Sequence, residues 1–135
     1  MVSIYASYIW RDQPVQVKGS LERYRDLTYI DDCIEGTLRL FESDYSDPVN
    51  IGSDEQVSIN QMLNMIEDIS DYKFERKYLL DKPKGVRGRS SNNDFIKSKL
   101  NWSPSINLED GLLKTYNWIE NQIKQKSNIK KFSRF

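Results

Sequence analysis

Short stretches of β-forming residues alternate with stretches of helical periodicity along the chain, and this alternation constrains the possible folds more than any other feature. It is typical of α/β proteins, in which helices connect strands and cover the sheet. The predicted strands are residues 15–17, 26–30, 49–52 and 74–80. Strands so few and so short do not make a complete doubly wound sheet. We therefore predict an α/β fold with an incomplete sheet, which resembles part of a larger unit.

The helical stretches carry start and stop signals. Ser58 followed by Gln61 has the spacing of a capping box. Asn92 or Asn93 can cap a short helix, and Asn101 suits the left-handed residue that ends it. The predicted helices span roughly residues 1–10, 31–43, 59–69, 93–100 and 107–123.

The second predicted helix begins at Asp31 or Asp32, since either carboxylate can accept hydrogen bonds from the first backbone N–H groups. We interpret both as helix caps rather than as paired catalytic acids. Ile34, Leu38 and Phe41 fall on one side of this helix.

Missing and rare residue types exclude several kinds of chemistry. The 135 residues include no histidine, which rules out a Ser-His-Asp triad, a Cys-His dyad and any histidine-based metal site. The single cysteine, Cys33, cannot form an internal disulfide and is interpreted as a small buried side chain.

No apolar run approaches the roughly 20 residues that cross a bilayer, and no secretory leader is recognised. We therefore expect a cytoplasmic protein without a membrane partner.

The formal charge is zero only in sum. Residues 31–72 carry one basic and eleven acidic side chains, for a net charge of −10, whereas residues 73–102 carry nine basic and three acidic ones, for +6. The basic stretch can attract a phosphorylated ligand, or the two stretches can form solvated faces that attract each other. The basic tail, residues 126–135, is predicted to be a frayed helix end rather than a nucleic-acid-binding arm.

Six segments together carry a resemblance to a known family. They are residues 17–32, 48–53, 85–89, 93–94, 100–104 and 108–112. In this order they resemble the NAD-dependent nucleotide-sugar epimerase/dehydratase family, which belongs to the extended short-chain dehydrogenases and has a Rossmann-type fold. The first segment resembles a glycine-containing turn, an Arg-Asp pair, a strand and an acidic helix start. The resemblance covers residues 1–125 and leaves residues 126–135 as a tail.

This resemblance implies the C-terminal, substrate-binding portion of such an enzyme. The family's glycine-rich NAD loop, its Tyr-x-x-x-Lys pair and its Ser/Thr partner lie upstream of the matched region. The resemblance therefore implies no catalytic residue and no bound cofactor in this chain alone, with NAD and a separate NAD-binding domain needed for the complete enzyme. Tyr78 and Lys82 do spell Tyr-x-x-x-Lys, but they fall at a predicted strand end, where such positions share no helical face.

Arg25 and Arg87 match the two arginines with which the family contacts the diphosphate of its substrate. A guanidinium suits this role because it offers two parallel donors to phosphate oxygens and stays charged. For Arg25, the alternative is a surface ion pair with Asp26 or Glu22.

Weaker expectations attach to other residues. Arg89 is either a third phosphate donor or a solvated neighbour, and Arg23 matches a less constrained position. Val17, with Val15, is expected either to line the nucleotide base or to pack in the core.

The resulting hypothesis is a substrate-binding fragment that holds the nucleoside diphosphate of an NDP-sugar. The alternative is a stand-alone, non-catalytic binding or interaction module. Residues 85–93 and 116–122 resemble one branch of the family, whereas residues 23–26 resemble bacterial members of surface-polysaccharide pathways, so the sugar stays open. Epimerisation, dehydration and decarboxylation also stay open. Because the first predicted helix is strongly apolar, we expect self-association through residues 1–10.

Overall fold

The computed structural model describes residues 2–9, 11–18, 23–82 and 86–125. Helices and short strands alternate in the described residues, which confirms the α/β class with a small, incomplete sheet. The elements are α1 (Val2–Ile9), β1 (Val15–Lys18), β2 (Tyr24–Asp26), α2 (Ile30–Phe41), β3 (Gln56–Ser58), α3 (Ile59–Ser70), β4 (Arg76–Leu79), α4 (Asp94–Leu100) and α5 (Leu108–Gln125).

The described strands form two separate pairs. β1 runs parallel to β4, with Val17 opposite Tyr78, and β2 runs antiparallel to β3, with Arg25 opposite Val57. The predicted strand at residues 49–52 is wrong, because this segment pairs with no described strand. A strand needs a neighbour for its backbone hydrogen bonds, and the sequence pattern alone does not supply one.

One hydrophobic core lies beneath α1, α3 and α5 and contains both valines of β1. The predicted capping box of α3 is confirmed, since Ser58 and Gln61 exchange side-chain-to-backbone hydrogen bonds. The buried residues of this core are Tyr5, Ile9, Val15, Val17, Val57, Ile59, Met62, Leu63, Ile66, Leu108, Leu112 and Tyr116.

The first helix is packed inside the chain. Tyr5, Ala6 and Ile9 of α1 are all buried, while Trp10 lies outside the described residues. These three side chains are covered by the chain itself, and self-association through residues 1–10 stays a prediction.

The second helix differs from the prediction at its start. β2 ends at Asp26 and α2 begins at Ile30, so the predicted strand at 26–30 is wrong, and Tyr29 occupies the N-cap position without a side-chain hydrogen bond. Asp31 and Asp32 therefore lie in the first turn and are not the caps that we expected. Extended backbone preceding a helix has the same β-forming composition as a strand, which explains the shifted boundary.

The end of the described chain follows the prediction closely. Asn92 accepts a hydrogen bond from the Asp94 backbone at 2.9 Å and so marks the start of α4. Asn101 has the left-handed conformation expected of it, with φ of 47°. At the start of α5 the Asn107 side chain accepts a hydrogen bond from the Asp110 N–H and donates one to the Asp110 carboxylate.

No described helix is long and apolar enough to cross a membrane. The predicted frayed tail lies outside the described residues.

Candidate functional site

Two segments that are distant in sequence meet beside β2. The Tyr24 N–H donates to the Arg87 carbonyl at 2.9 Å. Next to it, the Arg25 guanidinium donates through Nη1 to the Val86 carbonyl at 3.1 Å, across 61 residues of chain. The strand that carries Arg25 and the loop that carries Arg87 therefore lie in direct contact.

The same loop is fixed again at its other end. The Ser91 N–H donates to the Ser53 carbonyl at 3.1 Å, and Asn93 Nδ2 donates to the Gly52 carbonyl at the same distance. A Cβ added to Gly52 would lie 2.7 Å from the Ser91 Cβ, so only glycine allows this approach. The loop from Val86 to Asn93 is thus held between β2 and the segment 52–53, and we call it the arginine loop.

Arg25 is half-buried, and its local contacts use one nitrogen. Nη1 donates to the carbonyls of Tyr24, at 2.6 Å, and Val86. Among the described residues no ion pair joins Arg25 to Asp26, whose carboxylate instead lies near Gly52. Glu22, the other partner considered, lies outside the described residues. Among the described residues, no hydrogen bond from Nε or Nη2 is seen, and these are two of the donors that a guanidinium can offer to an anion.

The other arginines differ in where they lie. Arg87 and Arg89 both have exposed side chains on the arginine loop. Arg23 is directed elsewhere, because its guanidinium donates to the carbonyl of Lys18.

Val17 and the pair Tyr78 and Lys82 each occupy one of the places that the sequence predicted for them. Val17 is fully buried in the core, which core packing explains; its expected contact with a nucleotide base stays a prediction. Tyr78 lies on β4 with its hydroxyl donating to Asn60 at 2.9 Å, and Lys82 lies beyond the strand. The prediction that this pair occupies a strand end rather than a helix is confirmed.

The described part of the arginine loop lacks the glycine turn that binds dinucleotide phosphates. Gly88 lies in a loop whose next helix, α4, begins only at Asp94, so this glycine does not lead directly into a helix N-terminus, as dinucleotide phosphates require. Gly85 lies outside the described residues. No group of three or more described acidic or cysteine side chains is arranged to hold a metal ion.

Comparisons with known proteins identify the class of protein that has this fold and this contact between β2 and the arginine loop. No family model matches the chain. GDP-mannose 3,5-epimerase of Arabidopsis thaliana is 48% identical over 101 residues, which are 75% of this chain and 26% of that protein. UDP-glucuronate 4-epimerase of Thermodesulfobacterium geofontis is 31% identical over 127 residues, which are 93% of this chain and 39% of that protein.

A solved structure agrees with these relatives. UDP-glucuronic acid 4-epimerase from Bacillus cereus, in complex with UDP-glucuronic acid and NAD, superposes with a TM-score of 0.83 at 30% identity, over 90% of this chain and 40% of that one. The chain belongs to the NAD-dependent nucleotide-sugar epimerase/dehydratase family of extended short-chain dehydrogenases. It spans between about a quarter and two fifths of the length of these relatives.

Sequence reasoning missed the residues that hold the arginine loop in place. Nothing in the local pattern of Gly52, Ser53 or Ser91 indicates that they meet, because backbone contacts across a tertiary interface leave no periodicity. Gly52 alone gives a signal, since a glycine at the end of a predicted strand can mark a close backbone approach.

Proposed function

We propose that this chain is the substrate-binding portion of an NAD-dependent nucleotide-sugar epimerase or dehydratase, and that it holds the diphosphate of an NDP-sugar. The observation on which the proposal depends is the contact between Arg25 and the Val86 carbonyl, because it brings one arginine beside the loop that carries two more. A diphosphate needs several positive donors converging on one place.

The chemistry of the site supports an anion of this kind. Arg25 is half-buried and bonded to carbonyls, so its orientation is fixed before a ligand arrives, which lowers the entropic cost of binding. Arg87 and Arg89 lie on an exposed loop that is held at both ends. The basic character of residues 73–102, with a net charge of +6, favours the same class of ligand.

In the complete enzyme, NAD would supply hydride transfer from a portion outside this chain. The residues of this chain would bind and orient the substrate, since contacts with the non-reacting diphosphate position the sugar for the reaction. We accordingly expect the chain to be catalytically silent by itself.

Ligand binding by purified variants tests the proposal. We expect at least one of GDP-, UDP-, dTDP- or CDP-sugars to raise the melting temperature at millimolar concentration. Arg25→Ala and Arg87→Ala should each weaken binding about tenfold or more, as expected for a charge-assisted contact. Arg39→Ala is the matched control, because Arg39 pairs with Glu35 on the surface of α2. The proposal fails if no NDP-sugar binds. It also fails if Arg25→Ala and Arg87→Ala bind NDP-sugars as tightly as Arg39→Ala and the unaltered chain do.

A further inference from the structure

A carboxylate without a partner lies beside the proposed anion site. Asp26 follows Arg25 on β2 and is half-buried. Among the described residues its carboxylate accepts no hydrogen bond and forms no ion pair. Such a group is unfavourable in two ways, because burial removes part of its hydration and because its charge repels the phosphate oxygens that Arg25 would bind. A carboxylate at this position therefore needs a hydrogen-bond donor.

A candidate donor is Ser91, near the end of the arginine loop. The Ser91 Oγ and the Asp26 Oδ2 lie 3.2 Å and 3.3 Å from the same point, which is the position of an added Cβ at Gly52. The Ser91 Oγ is itself buried and has no hydrogen-bond partner among the described residues. A donor and an acceptor are thus left unpaired beside Gly52, close enough for a small movement to join them.

A second acceptor competes for the Ser91 hydroxyl. Asn93 Oδ1 is also buried without a partner in the described part of the chain, while Asn93 Nδ2 donates to the Gly52 carbonyl. A hydrogen bond to an ionised acceptor is roughly twice as strong as one to a neutral acceptor. The hydroxyl therefore gains more from Asp26 than from Asn93.

We infer that Asp26 is a positioning residue, whose carboxylate accepts the Ser91 hydroxyl when a diphosphate binds and so fixes the arginine loop against β2. This inference rests on the proposed function, since it takes Arg25 and Arg87 to hold a diphosphate. Such a ligand draws the arginine loop towards β2, and Ser91 belongs to that loop as Asp26 belongs to that strand. The new hydrogen bond offsets part of the repulsion between Asp26 and the phosphates.

The sign of the effect separates this role from a purely electrostatic one. If Asp26 acted only through its charge, removal of the charge would strengthen the binding of an anion. If Asp26 positions the arginine loop, its removal weakens the binding instead. A role in stability alone would lower the melting temperature of the unliganded chain, in which the described residues give the Asp26 side chain no hydrogen bond to lose.

Calorimetric titration of the full 135-residue chain with GDP-, UDP-, dTDP- and CDP-sugars tests the inference. Asp26→Ala and Ser91→Ala should each weaken binding about fivefold, and the double variant should weaken it no further, since both changes remove the same hydrogen bond. The melting temperatures of the unliganded variants should shift by less than about 2 °C. Ser98→Ala is the matched control, because the Ser98 hydroxyl donates to the Phe95 carbonyl within α4.

Three results would overturn the inference. The first is unchanged or tighter binding by Asp26→Ala. The second is a double variant whose loss of affinity is the product of the two single losses, because the two groups would then act independently. The third is a melting temperature of unliganded Asp26→Ala that falls by several degrees, because the contact would then exist before the diphosphate binds.

The variant Arg25→Ala keeps this failure distinct from a failure of the proposed function. If Arg25→Ala weakens the binding of an NDP-sugar while Asp26→Ala and Ser91→Ala do not, the diphosphate site stands and only the positioning role is wrong. If no NDP-sugar binds the unaltered chain, both are wrong.

Discussion

Asp32 of α2 accepts hydrogen bonds from both the backbone N–H and the hydroxyl of Ser105, at 3.0 and 2.9 Å, across 73 residues of chain. Its second oxygen accepts the Ile106 N–H at 3.0 Å. The side chain that we expected to cap its own helix instead fastens that helix to the segment before α5.

This arrangement makes Asp32 sensitive to substitution. Asp32→Asn keeps the size of the side chain but turns one acceptor into a donor that faces a backbone N–H group. We expect the free energy of unfolding to fall by about 2–3 kcal/mol, because a buried donor is left without a partner. Urea denaturation at pH 7 measures this, with Asp31→Asn as the control, since Asp31 is exposed in the same turn.

The same contacts predict a dependence on pH. Burial raises the pKa of Asp32, but the hydrogen bonds from Ser105 and Ile106, with the nearby Lys114, outweigh it and hold that pKa below its ordinary value of 3.8. A carboxyl whose pKa is lowered by folding stabilises the fold above its ordinary pKa and loses this contribution as the pH falls through the lowered one. Asp32→Asn should therefore show a weaker loss of stability below pH 3.8 than the unaltered chain, and an equal loss in both would contradict this.

The ion pair between Glu67 and Arg76 joins α3 to β4 at 2.9 Å, with both side chains largely buried. Arg76→Met should destabilise the chain by about 2 kcal/mol, since it leaves a buried carboxylate with fewer partners. Lys73 also contacts Glu67, at 3.1 Å, but is 76% exposed, so Lys73→Met should cost less than about 1 kcal/mol. Chemical denaturation of both variants tests the difference; equal effects would show that burial does not decide the strength of these pairs.

Two helical glycines should respond oppositely to alanine. An added Cβ at Gly36 would meet the buried ring of Trp102 at 3.0 Å, so Gly36→Ala should lower the melting temperature despite the higher helix propensity of alanine. At Gly111 the nearest atom is the Tyr29 Cβ at 3.3 Å, so a shift of a few tenths of an ångström at the half-buried Tyr29 relieves the contact. Gly111→Ala should therefore be neutral or stabilising by up to about 1 kcal/mol. A stabilising Gly36→Ala would refute the close packing of α2.

Gly52 connects the packing of the fold to the proposed site. Gly52→Ala would push against Ser91, at 2.7 Å, and so displace the end of the arginine loop. We expect NDP-sugars to bind Gly52→Ala more weakly, and we expect the melting temperature of the unliganded chain to change less than the affinity does. Titration calorimetry of NDP-sugars into the variant and into the unaltered chain measures the affinity. An unchanged affinity would show that the position of the loop does not depend on this contact.

Local signals in the sequence were sufficient for features that depend on neighbouring residues. The capping box at Ser58 and the left-handed Asn101 were both predicted, because each depends on residues within one or two helical turns. The family resemblance likewise followed from short motifs in a fixed order, and the relatives confirm it.

Features that depend on distant partners were decided only by the tertiary structure. The sequence by itself determined that helices and short strands alternate, because periodicity and capping are local. It did not determine that Asp32 would bind Ser105, that residues 49–52 would lack a strand partner, or that one side of α2 would stay uncovered. The contact of Arg25 with the arginine loop belongs to the same group, since a hydrogen bond across 61 residues exists only once the chain has folded.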